Sequence, residues 1–437
     1  MTSVKYCSIS KWLTIALCGL VTLSTAALGQ QPKRTVIHAG KLLDVKSGNT
    51  LSDQAIVIEN GKIVTVGPMS SAKLAANDQK IELGNATVLP GLIDAHTHLT
   101  FNPHFGYDQL AISIPREALI GARNARVTLE AGFTTVRNVA ADGYADVALR
   151  DAINAGDVPG PRLLVSGPPL SITGGHCDND LLPYEYHAIA DGVADGVEHV
   201  QHRVREVIKY GADLIKVCAT GGVLSKGDDP NASQYTLEEM KAIVADAHRL
   251  GRKVAAHAHG AQGVIWASDA GVDSVEHGHL MNDEAVAALK KNDTYLVPTL
   301  YLLDWHREHA SQANLPDFLR AKMEMVSAVG KQNVKKAIQA GVKIAMGTDA
   351  AVYPHGLNAH ELAVYVSLGM SPLQAIQSAT INDADLLGWS DKIGTLESGK
   401  WADIIAIDGD PLHDITTLQQ VKFVMKGGEV VKNEYAK

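Results

Sequence analysis

The sequence predicts an α/β protein in which a (β/α)8 TIM barrel carries a small β-sandwich domain built from both chain ends. The middle of the chain alternates buried apolar runs with amphipathic stretches, a pattern typical of parallel strands separated by helices. Both ends instead contain short strands and tight turns. Polar side chains follow many of the middle runs, as expected where a barrel places its functional groups at the carboxyl ends of its strands.

The middle region supplies eight candidate strands, enough to close a barrel. They end near these residues: His98, Val139, Pro168, Cys218, His257, His277, Thr299 and Asp349. The helical stretches between them predict helices at residues 116–131, 193–210, 237–250 and 317–340. The barrel is therefore expected to span residues 90–390.

The two chain ends are predicted to form one small β domain. Residues 55–64, AIVIENGKIV, predict a hairpin with an Asn-Gly turn. Residues 402–407 predict a strand, and residues 422–431 predict a second hairpin around two glycines. The sandwich is assigned to two segments, residues 33–89 and 391–437.

Residues 1–29 predict a secretory signal peptide. Lys5 and Lys11 precede an apolar run over residues 12–28, which ends in small residues and is short for a membrane span. We expect a periplasmic or secreted protein that is free of the membrane once this segment is cleaved. A formal net charge of −9 and a pI near 6.0 argue against nucleic acid as a partner.

Two of the four cysteines, Cys7 and Cys18, fall in the signal segment. The other two, Cys177 and Cys218, lie far apart in the sequence and do not make a disulfide framework. We expect two free, partly buried thiols, with a single bridge between them as the alternative.

A pair of histidines closes the first apolar run of the barrel, which reads VLPGLIDAHTHL over residues 88–99. Residues two apart in a strand point to the same side, so His96 and His98 project together, with Asp94 on the same face. Two imidazoles at this spacing make half of a metal site when further ligands come from elsewhere in the fold.

Further candidate ligands lie at the ends of other apolar runs: His257, His259, His277 and Asp349. Lys216 lies inside the apolar run LIKVC, where a bare ammonium costs several kcal/mol unless it is paired or neutralised. It is therefore either a partner in an internal salt bridge or a lysine that is modified or used in a site.

Together these residues resemble the amidohydrolase superfamily, over almost all of the chain after the signal segment. The resemblance rests on PGLIDAHTH at residues 90–98, GTLESGKWAD at residues 394–403, and the ordered set HxH, Lys, His, His, Asp. Within the superfamily the chain is similar to the imidazolonepropionase-like group that contains Xaa-Pro dipeptidases, and to ochratoxin A-hydrolysing amidohydrolases. The latter imply a homo-oligomer, an octamer.

The resemblance implies a binuclear metal site, for which histidine-rich nitrogen and oxygen ligation favours Zn²⁺. The implied ligands are His96, His98 and Asp349 for one ion, His257 and His277 for the other, and Lys216, as N6-carboxylysine, bridging both. The resemblance also implies attack by a metal-activated hydroxide on an amide carbonyl, with Asp349 accepting the proton and passing it to the leaving amine.

The implied reaction releases a C-terminal amino acid from a small amide. Expected substrates are dipeptides such as Xaa-Pro, N-acyl amino acids, and ochratoxin A, which would yield ochratoxin alpha and phenylalanine. The alternative is hydrolysis of a cyclic amide resembling imidazolonepropionate, a lactone or a phosphoester at the same metal site. A non-catalytic metal-binding protein is a third interpretation, which the intact ligand set disfavours.

Four further residues are predicted to contact substrate. His176 follows two glycines that let a ligand approach; it is either a catalytic residue that stabilises an oxyanion or an ordinary loop residue. His259 either acts in catalysis or closes its strand. His355 follows the eighth strand and is expected to reach the site, whereas Arg137 either binds a substrate carboxylate or pairs within the barrel.

Overall fold

The computed structural model describes residues 34–103, 106–309 and 316–436. The signal peptide predicted for residues 1–29 lies outside the described residues, together with its two cysteines. Within the described ranges, no helix combines the length and the apolar character that crossing a membrane requires.

Strands occupy both ends of the chain and alternate with helices between them. The strands are β1 (Arg34–Leu43), β2 (Thr50–Glu59), β3 (Lys62–Pro68), β4 (Gln79–Pro90), β5 (Leu92–Thr97), β6 (Phe133–Asn138), β7 (Arg162–Val165), β8 (Leu214–Cys218), β9 (Lys253–Gly260), β10 (Ser274–Leu280), β11 (Tyr295–Val297), β12 (Ile404–Ile407), β13 (Phe423–Lys426) and β14 (Glu429–Asn433). The α-helices are α1 (Ile114–Glu130), α2 (Ala145–Ala155), α3 (Val197–Lys209), α4 (Leu237–Arg249), α5 (Ala261–Ala270), α6 (Asp283–Lys291), α7 (Tyr301–Glu308), α8 (Asp317–Ala340), α9 (His360–Ser367), α10 (Pro372–Gln377) and α11 (Asp383–Leu386).

Strands from both chain ends share one seven-stranded sheet, in the order β14-β13-β12-β4-β1-β2-β3. Both predicted hairpins are confirmed, since β2 pairs antiparallel with β3, and β13 with β14. Asn60 and Gly61 adopt φ values of 50° and 77°, as the tight turn between β2 and β3 requires. The two chain ends meet where β12 runs antiparallel to β4. Within the described residues these strands form one continuous hydrogen-bonded sheet.

The middle of the chain forms two parallel sheets, ordered β5-β6-β7 and β11-β10-β9-β8. Isolated bridges lead from one sheet to the other: Leu170 with Val217, Leu296 with Ile344, and Thr97 with Ala350. The four predicted helices are confirmed as α1, α3, α4 and α8. Parallel strands separated by helices are the α/β architecture that the sequence predicts.

The segment predicted as the eighth strand, residues 343–349, makes isolated bridges instead of a strand ladder. Its backbone still bonds to both neighbours, since Ala345 N–H donates to the carbonyl of Leu296 at 3.0 Å and Ala95 N–H donates to that of Met346 at 2.8 Å. A buried side chain adds to these contacts. The carboxylate of Asp94 accepts the backbone N–H of Thr348 at 3.2 Å and that of His96 at 3.1 Å. Asp94 therefore reinforces the backbone hydrogen bonds that join this segment to β5.

One apolar core joins the seven-stranded sheet to the parallel strands. It contains Leu89 from β4 and Ile405 from β12, together with Ile215 and Leu296 from the parallel sheets. Burial of apolar surface contributes roughly 25 cal/mol per Å². The two parts of the chain therefore stabilise each other.

An ion pair also links the parallel sheets to the C-terminal part of the chain. Arg162 of β7 donates hydrogen bonds of 2.8 and 3.1 Å to Asp403, and its guanidinium carbon lies 3.8 Å from the centre of the Trp401 ring. The buried Asp403 carboxylate also accepts the backbone N–H of Gly427 at 2.7 Å. Both oxygens of Asp403 are thereby hydrogen-bonded, as a buried carboxylate requires.

We expect Asp403→Asn to lower the free energy of unfolding by about 2 kcal/mol, because Arg162 loses its counter-charge in a largely buried position. A fully buried pair would cost more, but the Arg162 side chain keeps 20% of its exposure. Urea unfolding measures this change. The matched control, Arg126→Ala, removes an exposed pair with Glu130 and should cost less than about 0.5 kcal/mol. Equal losses in the two variants would contradict the prediction.

Candidate metal centre

A cavity of about 470 Å³ lies at the carboxyl ends of the parallel strands. It brings together these predicted site residues: His96, His98, His176, Lys216, His257, His259, His277 and Asp349. Two other predicted residues, Arg137 and His355, are not among its lining side chains. The cavity therefore lies where the fold concentrates functional groups, at the strand ends.

Asp349 faces both histidines of the HxH pair. Its Oδ1 lies 3.0 Å from Nε2 of His98 and 3.5 Å from Nε2 of His96. Burial acts to raise the pKa of Asp349, but the neighbouring His96 and His98 hold it well below its usual range. Asp349 is thus an ionised carboxylate beside two imidazole nitrogens.

The histidines of β9 and β10 form a neighbouring group. One nitrogen from each of His257, His259 and His277 lies within 4.8 Å of the other two. The same separation holds among ligand atoms of His96, His277 and Asp349, so His277 belongs to both groups. Burial lowers the pKa of His257, His259 and His277 well below the ordinary value. Their rings are neutral and carry free lone pairs.

We call these residues the histidine cluster: His96, His98, His257, His259, His277 and Asp349. Neutral imidazoles with a carboxylate are ligands that Zn²⁺ and similar divalent ions take in proteins. Nδ1 of His98 and Nδ1 of His259 are buried and have no hydrogen-bond partner in the described part of the chain. Such orphaned nitrogens are costly unless a ligand occupies them. The histidine cluster can therefore hold a metal ion.

Lys216 enters the cavity from β8 and is 3% exposed. Burial lowers the pKa of its ammonium to about 8, although the charges of Glu276 and Asp349 act in the opposite direction. A lysine with this pKa is partly neutral near pH 7, and the neutral amine is the nucleophilic form.

Glu276 is a functional residue that the sequence did not reveal. Its Oε2 lies 2.7 Å from Nδ1 of His96, and its Oε1 accepts a hydrogen bond of 2.8 Å from Arg137. Burial acts to raise the pKa of Glu276, but Arg137 and His96 hold it well below its usual range. The carboxylate therefore accepts a hydrogen bond from the Nδ1–H group of His96 and leaves Nε2 with the free lone pair facing the cavity.

Arg137 and His355 are engaged inside the fold. The buried Arg137 guanidinium donates to Ser274 at 3.0 Å as well as to Glu276, and also to a backbone carbonyl of β5. This favours pairing within the fold over binding of a substrate carboxylate. Nδ1 of His355 lies 3.4 Å from Oγ1 of Thr128 in α1, away from the cavity lining.

His176 stacks on His257, with ring centres 4.2 Å apart. Its Nδ1 lies 2.8 Å from Oγ of Ser225, whose hydroxyl donates to Asp228 at 2.7 Å. Lys322 in turn donates to the carboxylate of Asp228. Because the Ser225 hydrogen goes to Asp228, Nδ1 of His176 must donate to Ser225, and Nε2 is left as an acceptor. Burial lowers the pKa of His176 to about 4, so the ring is neutral at pH 7.

Two further contacts near the histidine cluster were not predictable from spacing. Nδ1 of His277 lies 2.7 Å from Oγ1 of Thr299, and Nε2 of His279 lies 2.7 Å from the carbonyl oxygen of Pro298. Hydrogen bonds of this kind fix the ring orientation of a ligand and its neighbour. The pattern His-Gly-His in β10 is the only sequence signal that pointed toward His279.

The prediction of two free thiols is wrong, because Cys177 and Cys218 form a disulfide. The loop that carries His176 folds back over β8 and brings the two Cα atoms to 6.4 Å, within disulfide range. Their separation of 41 residues concealed this proximity in the sequence. The bridge connects the residue next to His176 to the strand that carries Lys216.

The sequence matches the Amidohydrolase family over residues 87–431. This range includes the cavity, the histidine cluster and Lys216. The chain therefore belongs to the amidohydrolase family and is a hydrolase, and the resemblance drawn from its motifs is confirmed.

Individual relatives match nearly from end to end. Ochratoxinase from Aspergillus niger is 35% identical over 430 residues, which cover 92% of this chain and 87% of the relative. Imidazolonepropionase from Fusobacterium nucleatum is 27% identical over 394 residues, with 81% and 84% covered. The crystal structure of a Xaa-Pro dipeptidase with bound methionine in the active site has a TM-score of 0.85 at 40% identity. That match covers 92% of this chain and 100% of the dipeptidase chain.

We expect Glu276→Gln to weaken metal binding by roughly 10- to 100-fold, because His96 loses the carboxylate that fixes its Nδ1 proton. Titration of the metal-free protein with Zn²⁺ against a competing chelator measures the affinity. Glu284→Gln, an exposed change in α6, is the matched control and should bind normally. Unchanged affinity in the Glu276 variant would show that this contact does not orient a ligand.

Replacement of Cys177 and Cys218 by serine should lower the free energy of unfolding by about 4 kcal/mol, the loop-entropy value for a loop of 41 residues. Unfolding with and without a reductant tests this in the native protein, and mass spectrometry counts its free thiols. The serine variant should not respond to the reductant. Two free thiols in the native protein, and no effect of the reductant, would refute the bridge.

Proposed function

We propose that the protein is a binuclear metal-dependent amidohydrolase that cleaves the amide bond to a C-terminal amino acid. The observation that carries the proposal is the pair of ligand groups that share His277, with the buried Lys216 lining the same cavity. In this proposal His96, His98 and Asp349 hold one ion, and His257 and His277 hold the other.

Carboxylated Lys216 completes the proposed ligand set. The neutral amine of Lys216 would add to carbon dioxide, forming a C–N bond and releasing one proton. The product is an anionic carbamate with two oxygens, which removes the cost of a buried cation and gives a bridging ligand. The lowered pKa of Lys216, about 8, supports this step because it increases the fraction of neutral amine.

Divalent ions, with Zn²⁺ favoured, would polarise the substrate carbonyl and make water more acidic. Asp349 accepts the proton of the attacking water and delivers it to the leaving nitrogen. Its depressed pKa keeps Asp349 ionised at neutral pH. His176 offers Nε2 as an acceptor, so it orients the water or a substrate N–H group instead of donating to an oxyanion. His259, with an unpartnered Nδ1, is a further contact for the substrate or an ion.

The similar proteins indicate which class of substrate to propose. One is named an ochratoxinase, and a structural neighbour is a Xaa-Pro dipeptidase with methionine in its active site. We therefore propose dipeptides, including Xaa-Pro, N-acyl amino acids and ochratoxin A as substrates. The second candidate is hydrolysis of a cyclic amide, which the similarity to imidazolonepropionase favours.

The proposal includes an architecture and a location. The two parallel sheets and residues 343–349 would together make a (β/α)8 barrel over residues 90–390. Residues 33–89 and 391–437 would form the small β domain. Export after removal of residues 1–29 and assembly into a homo-oligomer complete the proposal, and they rest on the sequence and on the family.

Hydrolysis by the Zn²⁺-loaded protein tests the reaction directly. The panel contains ochratoxin A, Xaa-Pro and Xaa-Phe dipeptides, N-acyl amino acids and imidazolonepropionate. We expect release of a C-terminal amino acid, and a loss of kcat/KM of at least roughly 100-fold after chelation or in Lys216→Ala. The matched control is Lys253→Ala at the other end of the neighbouring strand β9, where the lysine pairs with Asp273.

The outcomes separate the candidate functions. Turnover of imidazolonepropionate alone would select the cyclic amide. Activity that survives in a metal-free Lys216→Ala protein would refute the metal mechanism. Absence of any turnover with two ions bound would revive the non-catalytic interpretation.

A further inference from the structure

The cavity wall away from the histidine cluster carries three carboxyl groups. Glu117 comes from α1, Asp142 lies beyond the end of β6, and Asp191 lies in the connection between β7 and α3. We call these three residues the acidic wall. The carboxyls of Glu117 and Asp142 share a hydrogen bond, and the charge of Asp191 acts on Asp142. Among the described residues, no lysine or arginine offsets the charge on Glu117 or Asp142.

Two other acids of the same cavity differ because the backbone satisfies them. Asp178 accepts the backbone N–H groups of Gly174 at 2.8 Å and Ala190 at 2.9 Å. The carboxylate of Asp180 accepts a hydrogen bond from the backbone N–H of Lys226 at 2.6 Å. These contacts shape the loop after β7 and account for both side chains. Among the described residues, no backbone N–H group donates to the carboxyls of Glu117 and Asp142.

Two buried oxygen atoms on this wall have no hydrogen-bond partner among the described residues. Glu117 is 5% exposed, and its Oε2 has no hydrogen-bond partner in the described ranges. Thr100 is fully buried, lines the same cavity, and its Oγ1 also lacks a partner there. Thr100 packs against α1 one turn beyond Glu117, since a Cβ on Gly121 would lie 3.3 Å from Thr100 Cγ2. Two unrelated side chains thus leave buried oxygens without hydrogen-bond partners on one wall.

The charges of the carboxyl groups on the acidic wall indicate which kind of group would bind there. Burial and the neighbouring Asp142 together raise the pKa of Glu117 to about 8. Two adjacent carboxyls hold a proton between them because both cannot ionise without a counter-charge. A cation that enters the cavity would supply that counter-charge and the hydrogen-bond donors in one group.

We propose that the acidic wall, with Thr100, is a subsite for a positively charged group on the acyl half of the substrate. The group is an ammonium or a guanidinium, either the α-amino group of a dipeptide or the side chain of its first residue. The subsite belongs to the acyl half because the other half carries the α-carboxylate, which the acidic wall repels. This inference rests on the proposed amide hydrolysis.

The proposed substrates differ in whether the acyl half carries the positive charge that this subsite would bind. Dipeptides with a free amino group satisfy it, whereas N-acyl amino acids with a neutral acyl group do not. Ochratoxin A, a neutral aryl amide on its acyl side, would leave the carboxyls of Glu117 and Asp142 without a cation. The protein should therefore favour peptides over acylated amino acids.

Four substrates with one common C-terminal residue test the subsite. They are lysyl, norleucyl, Nα-acetyl-lysyl and Nα-acetyl-norleucyl derivatives, so the α-ammonium and the side-chain cation vary independently. We expect kcat/KM to be roughly tenfold higher or more for a substrate that carries the recognised cation. The substrates that show the higher kcat/KM identify which cation is bound, the α-ammonium or the side-chain ammonium.

Substitutions in the acidic wall test whether it causes the preference for cationic substrates. Glu117→Gln with Asp142→Asn should reduce the cationic preference to within about twofold of unity, while the fully acetylated norleucyl substrate retains its rate. That retained rate also shows that the variant is folded. Thr100→Val, a change of similar shape, should lower the preference in part. Asp180→Asn, which removes another cavity charge, should keep the native preference.

Two results would overturn the subsite. One is equal kcat/KM for all four substrates in the native protein, and the other is a cationic preference that survives in the Glu117 and Asp142 variant. A larger response to a lysine placed in the C-terminal residue would also contradict its assignment to the acyl half. Failure to hydrolyse any of the four, or any amide in the wider panel, would instead refute the proposed function on which the subsite rests.

Discussion

The ion pair between Arg137 and Glu276 is the interaction on which the rest of the site depends. Arg137 lies in β6, in the three-stranded parallel sheet, and Glu276 lies in β10, in the four-stranded one. The pair therefore crosses the interior between the two sheets. It also reaches His96 through the second oxygen of Glu276. Burying two charges is costly, and this geometry offsets the cost because each charge has several hydrogen bonds.

Several backbone conformations at the histidine cluster are unfavourable. His277, Thr299 and Asp349 adopt φ values of 73°, 46° and 60°, in the left-handed region that residues with side chains rarely occupy. Each costs about 1–3 kcal/mol, and such residues persist only where surrounding structure fixes them. Here Asp94 accepts the backbone N–H of Thr348, next to Asp349, and Nδ1 of His277 contacts the hydroxyl of Thr299. This backbone strain offsets part of the free energy of folding, and it holds polar groups in place at the strand ends.

The sequence predicted those features that depend on local spacing. Alternation in β5 predicted that His96 and His98 share a face, and helical periodicity predicted α1, α3, α4 and α8. It did not reveal partners that are distant in the chain, because spacing carries no information on which strands meet. Glu276 and His96 are 180 residues apart, and the disulfide depends on how one loop folds over β8. The eighth strand was predicted from its apolar residues. Its backbone does bond to β5 and β11, but the pairing is irregular and forms isolated bridges instead of a ladder.

The shared sheet also sets an order of events during synthesis. Strand β4 runs through Gly91 directly into β5 and the first histidines, yet one of its two neighbours is β12, close to the C-terminus. While the chain is being made, that edge of β4 stays open until the last strands leave the ribosome. Domains otherwise fold as they emerge, from the N-terminus onward. In this protein the first strand of the site obtains its complete support only after β12, at residues 404–407, has been synthesised.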